Sequence, residues 1–224
     1  MRDNVKKFVE TLSKAIDAPG PIYEFGSLQV DGQIGYADLR PFFPGKKYVG
    51  CDFRMGPGVD VVKDIENMQL EPSSVGTMLI VDTLEHVRRP HAALDEAWKA
   101  LGPDGVVVIT SHQNFPVHGH PYDYWRYTTM GFDVLLEKFP ARIVGSQGAP
   151  LNPHTVLGVG FKDAKSPNVA KVLAALKATE LGAQDQKRRG LKRRIKKKIR
   201  GAMAQIQDAR AQELVSWELR GTAP

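Results

Sequence analysis

Residues 111–128 hold three of the chain's six histidines and three of its six tyrosines. His118, His120 and Asp123 stand two and three positions apart there, close enough to share one proton-transfer site. An imidazole titrates near neutrality, so one of these groups could serve as general base toward a hydroxyl that must lose its proton in reacting. The same three side chains could ligate a divalent cation. No fourth ligand follows, however, and the single cysteine, Cys51, lies far away in the chain, so no metal is expected. Tyr124 and Trp125, with Tyr122 and Tyr127, supply aromatic faces that suit a ring-shaped acceptor, or alternatively anchor the loop on the body. Arg126 could pair with an acidic acceptor or with Asp123. His86, after an earlier apolar run, is a further candidate for contact with substrate.

A second set of groups recurs at the ends of short apolar runs. Pro21-Ile22-Tyr23-Glu24-Phe25-Gly26-Ser27 ends in a carboxylate and a glycine, and Tyr48-Val49-Gly50-Cys51-Asp52, some 25 residues on, ends in an aspartate followed by Phe53. That is the pattern of a nucleotide-binding βαβ unit, in which the aspartate accepts hydrogen bonds from both ribose hydroxyls. The segment from Gly26 to Gly32 does not match the Gly-x-Gly-x-x-Gly loop that cradles a pyrophosphate, which disfavours a dehydrogenase. A nucleoside without a diphosphate, such as S-adenosylmethionine, needs no such loop. Asp64 with Ile65, and Asp82 with Thr83, close two further runs and would face the same cleft, because ligands of open parallel sheets meet the carboxyl ends of the strands. Asp60 and Asp64 could equally be solvated loop charges.

These groups need a scaffold that brings the run ends together. Phe8, Val9, Leu12, Ala15 and Ile16 recur at helical spacing and predict an amphipathic helix over residues 5–18. Short helices are expected at 34–43, 90–101 and 129–139, and strands at 47–52, 59–62, 75–81 and 106–110. The pair 141–148 and 154–162 closes the body. Alternating strands and helices of this kind make an α/β, doubly wound sheet.

At 224 residues the chain suffices for one cored domain and an appendage. No apolar run approaches the ~20 residues of a membrane span, and there is no signal-type h-region, so a reducing, cytoplasmic setting is expected. The net charge of +6 is unevenly spread. Residues 162–224 carry sixteen Lys/Arg against six Asp/Glu, while the rest holds fifteen against nineteen. Ten of the fourteen residues 187–200 are basic. That run could bind an anionic partner, either nucleic acid or an inner membrane surface, or be the solvated face of a helix. Beyond residue 162 a helix is expected at 168–181. Ile195, Ile199, Ala202, Ile206 and Ala209 then form a coiled-coil-like seam through which a homodimer could assemble.

Taken in order, Tyr23-Glu24-Phe25-Gly26-Ser27, Tyr48-Val49-Gly50-Cys51-Asp52, Gly58-Val59-Asp60-Val61-Val62-Lys63-Asp64, Asp82-Thr83-Leu84-Glu85-His86-Val87, Leu101-Gly102-Pro103-Asp104-Gly105 and the stretch from His118 to Thr128 resemble a class I S-adenosylmethionine-dependent methyltransferase of the type 11 kind. The resemblance covers residues 21–161. It implies a Rossmann-like, seven-stranded sheet with the last strand antiparallel, a methyltransferase domain over 1–162 and a basic helical extension over 163–224. It also implies that Glu24, Gly26 and Ser27 flank the methionine moiety, Asp52 and Phe53 the ribose, Asp64 and Ile65 the adenine, and Asp82 and Thr83 the sulfonium. Leu28 stands where a second glycine is common in that family. The expected reaction is methylation of a small or glycan acceptor, most simply a saccharide hydroxyl. An RNA- or protein-directed methyltransferase, or a non-catalytic nucleoside-binding module, are the alternatives.

Overall fold

A computed structural model describes residues 1–119, 121–149, 151–179 and 214–221. His120, the basic run 187–200 and the seam from Ile195 to Ala209 lie outside the described residues. The elements are α1 (Asp3–Ala15), β1 (Ile22–Phe25), β2 (Tyr48–Asp52), β3 (Val61–Val62), β4 (Val75–Val81), α2 (Pro90–Ala100), β5 (Leu101–His112), α3 (Thr129–Leu135), β6 (Ala141–Ala149) and β7 (Asn152–Phe161). A helix α4 over 167–179 and a strand β8 (Leu214–Gly221) follow.

One sheet in the order β3-β2-β1-β4-β5-β7-β6-β8 organises the molecule. Strands β3, β2, β1, β4 and β5 are mutually parallel, and β7 runs antiparallel between β5 and β6. This is the expected seven-stranded sheet, extended by one strand. All seven residues of β4 are buried, as a central parallel strand covered on both faces must be. Val5, Phe8, Val9 and Leu12 give α1 one apolar stripe, which packs with Val172 and Leu176 of α4 on one face. Ala93, Leu94 and Ala97 of α2 and Phe132 of α3 cover the other.

The helix expected over 34–43 does not form. Turns fill that span, with a 3-10 turn at Arg40–Phe42. Gly32 and Gly35 take left-handed backbone at φ +78° and +76°, and Pro41 and Pro44 interrupt any helical ladder. Leu39 and Phe43 nevertheless reach the core beside α1, so the N-terminal helix covers the face left open by the missing crossover helix. Two strand boundaries also differ. The third strand keeps two exposed residues of the expected four, at the sheet edge. The fifth starts at Leu101 rather than 106, carrying Gly102 to Gly105 through a register irregularity between Val75 and Thr77.

The end of the extension is a strand, not a helix. Val215, Trp217 and Leu219 alternate with Ser216, Glu218 and Arg220, a period of two that suits pairing, and β8 lies antiparallel on β6 from Gly148 to Ala141. The pairing covers what would otherwise be an open edge. Trp217 is buried and stacks on Phe8 with ring centroids 5.3 Å apart. A helix docked by a boundary at residue 162 would leave Trp217 free to truncate. We expect Trp217→Ala to lower stability by about 3–5 kcal/mol, read from urea midpoints of the full chain; a loss below ~1 kcal/mol would detach β8 from the body.

Candidate active site

The carboxyl ends of β1, β2 and β4 meet at one rim, where a cavity of about 600 Å³ opens. The backbone leaves β1 through Gly26, at φ +84°. A Cβ there would stand 2.0 Å from Thr83 Oγ1, so glycine lets the turn after β4 close on the turn after β1. Thr83 Oγ1 donates to the Val81 carbonyl at 2.9 Å, which fixes that turn. Asp82 sits in left-handed backbone, φ +46°, held by its N–H on Thr110 Oγ1 (2.9 Å) and by its carboxylate accepting from the same hydroxyl (2.8 Å). Such a conformation in a non-glycine residue persists only where surrounding contacts enforce it. Asp52 is buried at the end of β2, and its Oδ1 accepts the Arg54 N–H at 3.0 Å. Burial raises the Asp52 pKa.

Glu24, Gly26, Ser27, Asp52, Phe53, Asp64, Ile65, Asp82 and Thr83 all line this one cavity. Their chemistry fits a cationic nucleoside: a paired acceptor for ribose hydroxyls at Asp52, an apolar flank at Phe53 and Ile65, and carboxylates at Glu24 and Asp82. Ser27 Oγ is buried beside Gly50 with no hydrogen-bond partner within the protein.

Residues 45–109 match the family model described as "Methyltransferase domain". From β2 into β5 the chain carries the sequence of a methyltransferase domain. Its fold is shared by a SAM-dependent methyltransferase of Archaeoglobus fulgidus, at 12% identity and TM-score 0.55 over 72% of this chain and 94% of that one. It is shared too by 1,6-didemethyltoxoflavin-N1-methyltransferase of Burkholderia thailandensis, solved with S-adenosylhomocysteine and 1,6-didemethyltoxoflavin, at 16% identity and TM-score 0.52 over 71% and 78%. No curated protein matches the sequence. The S-adenosylmethionine expected from the sequence is a cationic nucleoside of the kind these lining groups fit.

Glu24 is fully buried in β1 and accepts the Tyr48 hydroxyl at 2.7 Å. Burial pushes its carboxyl up to about 7, with the Tyr48 hydrogen bond opposing. A cationic donor favours the ionised carboxylate, so the sign is set: donor affinity weakens as pH falls below about 7. We expect the donor's Kd to rise roughly tenfold per pH unit from 6.5 to 5.5. Glu24→Gln should flatten that slope; an equal slope in the variant, by calorimetry, would assign the titration elsewhere.

The other wall of the cavity comes from the segment after β5. His118, Tyr124 and His86 line it. Asp123, Trp125 and Arg126 do not. The Arg126 guanidinium donates to both Asp123 oxygens, at 2.6 and 2.7 Å, and to the Phe115 and Pro116 carbonyls. That pair drives the Asp123 pKa well below the usual carboxylate range, so Asp123 is a fixed anion and a poor base. It lies 3.2 Å from His118 Nδ1 and also accepts the His118 backbone N–H at 2.7 Å. Trp125 anchors the segment: its indole N–H donates to the Val87 carbonyl at 2.9 Å. Tyr124 and Trp125 backbone N–H groups both reach the Glu85 carbonyl, and the Tyr127 hydroxyl donates to Leu84. The acceptor wall is thus bolted to the turn that carries Asp82 and Thr83.

Glu85, His112 and Arg2 are among the lining groups that the sequence did not single out. Glu85 is buried and accepts the Ser111 hydroxyl at 2.6 Å. Its Oε1 lies 3.2 Å from His112 Nε2, though without hydrogen-bond alignment. Burial and Asp82 raise the Glu85 pKa, and burial lowers that of His112, so both are biased toward neutrality. Among the described residues, Glu85, His112 and His118 bring ligand atoms within 4.8 Å of one another. They do not suit a cation as arranged. Arg2 Nη2 donates to His112 Nδ1 at 2.6 Å, which places the ring proton on Nε2, the nitrogen a metal would need.

Proposed function

We propose that the methyltransferase acts on a hydroxyl of a saccharide or a related hydroxylated metabolite, with His118 as the base. One observation carries this reading. His118 Nδ1 faces two acceptors, Asp123 Oδ2 and the Pro116 carbonyl, each at 3.2 Å. The ring proton therefore belongs on Nδ1, which makes Nε2 the basic nitrogen of a ring that lines the cavity. Phe115, Tyr122 and Tyr124 surround it with exposed aromatic faces, Tyr122 and Tyr124 stacked at 5.6 Å. Such faces bind the apolar faces of sugar rings while leaving the rim hydroxyls to polar groups.

Bound S-adenosylmethionine supplies an already activated methyl group, so the protein's tasks are alignment and proton removal. In this reading Asp82 and Thr83 set the depth of the donor, the aromatic faces set the plane of the acceptor, and His118 takes the hydroxyl proton on Nε2. Asp123, pinned by Arg126, stabilises the imidazolium that results. A carboxylate partner for the imidazole favours an oxygen acceptor, since an amine at its reactive pH needs no base of this strength.

The test is product analysis. Full-length protein, labelled donor and a panel of monosaccharides, hydroxylated metabolites, amines and short RNAs should yield O-methyl ethers from the hydroxylated set, identified by NMR. Transfer confined to nitrogen, or to RNA, would overturn the reading.

A further inference from the structure

The donor cavity is not closed on its acceptor side. Met1, Arg2, Gln33 and Phe115 line it and also line a second, wider groove of about 1370 Å³. That groove runs along the first turns of α1, across the loop after β5 and past the ends of β6 and β7. It holds none of the groups that fit the donor, and its volume exceeds the roughly 300–1,000 Å³ of pockets that enclose one small molecule.

The lining chemistry is specific in kind. Side-chain amides recur, from Asn4, Gln33, Asn114 and Gln147. Asn4 donates to Gln147 and Thr155 and Gln33 accepts from the Met1 ammonium, which fixes their orientation and leaves the Asn4 oxygen and the Gln33 and Gln147 NH2 groups for a ligand. Tyr36 and Phe115, both partly exposed, add ring edges and faces, one face of Tyr36 lying under Lys6 Nζ at 4.5 Å and one of Phe115 stacked on His112. Neutral amides beside aromatic faces match arrays of hydroxyls on stacked rings, which present donors and acceptors along their edges and apolar C–H faces above and below. Asp3 faces three cations in the wall, Lys7, Arg2 and the Met1 ammonium, so the groove is net cationic and suits an oligosaccharide that carries acidic groups as well as a neutral one.

We infer that this groove is the continuation of the acceptor site, and that the acceptor is an oligosaccharide chain rather than a single sugar. This rests on the saccharide-hydroxyl reading given above. One ring of the chain sits against Tyr122 and Tyr124 and presents its hydroxyl to His118. The following rings pass Phe115 and lie along the amide-lined groove toward Tyr36. Phe115, at the junction, contacts both parts: it stacks on His112 at 4.4 Å and packs edge-on to His118 at 4.9 Å.

The experiment is a chain-length series with the full chain. Labelled methyl transfer is followed to glucose-, galactose- and N-acetylglucosamine-based oligomers of one to five residues. We expect kcat/KM to rise at least tenfold between the monomer and the tetramer of the accepted series, mainly through KM. Tyr36→Ala and Asn114→Ala should each cut the tetramer-to-monomer ratio severalfold, with the fold of each variant checked by its thermal transition. A monomer used as well as the tetramer would overturn this inference and leave the hydroxyl reading standing. A ratio unmoved by both substitutions would do the same, placing the extra rings outside the groove. No O-methylation of any saccharide, of any length, would remove both.

Discussion

Replacing His118 with alanine should lower kcat for a hydroxyl acceptor by about 10²- to 10⁴-fold and leave the donor's Kd essentially unchanged. The split follows from where His118 stands. Its ring lies on the wall built by the segment after β5, while the groups fitted to the nucleoside come from the ends of β1, β2 and β4. Asp123→Asn should retain much of the fold, because Arg126 still donates to the Phe115 and Pro116 carbonyls, yet lose part of the rate by leaving the imidazolium without its counter-charge. Added imidazole separates a base from a structural residue: it should restore part of the rate to the His118→Ala variant if the ring takes the proton. A variant as fast as the parent would assign the proton to another group.

The second large effect concerns the donor. Asp52→Ala should raise the Kd for S-adenosylmethionine by roughly 100-fold or more, since hydrogen bonds to a charged group are each worth about 1.5–3 kcal/mol and two ribose hydroxyls would lose theirs. Asp52→Asn, keeping one acceptor oxygen, should fall between. A purely structural aspartate predicts something different. Burial raises the Asp52 pKa, so its ionised form is held at a cost in the protein without ligand. Removing it relieves that cost while forfeiting the contact to the Arg54 N–H. The thermal midpoint should therefore move little as the affinity collapses. A destabilised variant with unchanged affinity for donor, measured by calorimetry below its transition, would show that Asp52 supports the turn and nothing else.

Donor-side residues were legible in the sequence because each is the terminus of a local pattern. A run such as Val75 to Val81 can only be a buried strand, and a parallel sheet puts every strand terminus at one rim, so Glu24, Asp52 and Asp82 had to converge. Seven of the strands and the position of α2 follow from the same local patterns, while the antiparallel place of β7 in the sheet is what the family resemblance implied. The missing helix before β2 was less visible, since Leu39 and Phe43 keep a core-facing spacing whether or not Gly35 and Pro41 allow a helix between them.

What the amino-acid order determined by itself, then, is the sheet and the carboxylates at its rim, for these depend on residues within a few positions of one another. Only the folded chain decided the acceptor wall. Arg2 meets His112 across 110 residues of sequence, Glu85 is buried by a segment that begins 26 residues later at Ser111, and Trp217 closes on Phe8 from the far end of the chain. For Arg126 the sequence left two partners open, and the fold settled on the local one, Asp123. A side chain's partner is chosen by whichever group the topology delivers to it, and no spacing along the chain records that choice.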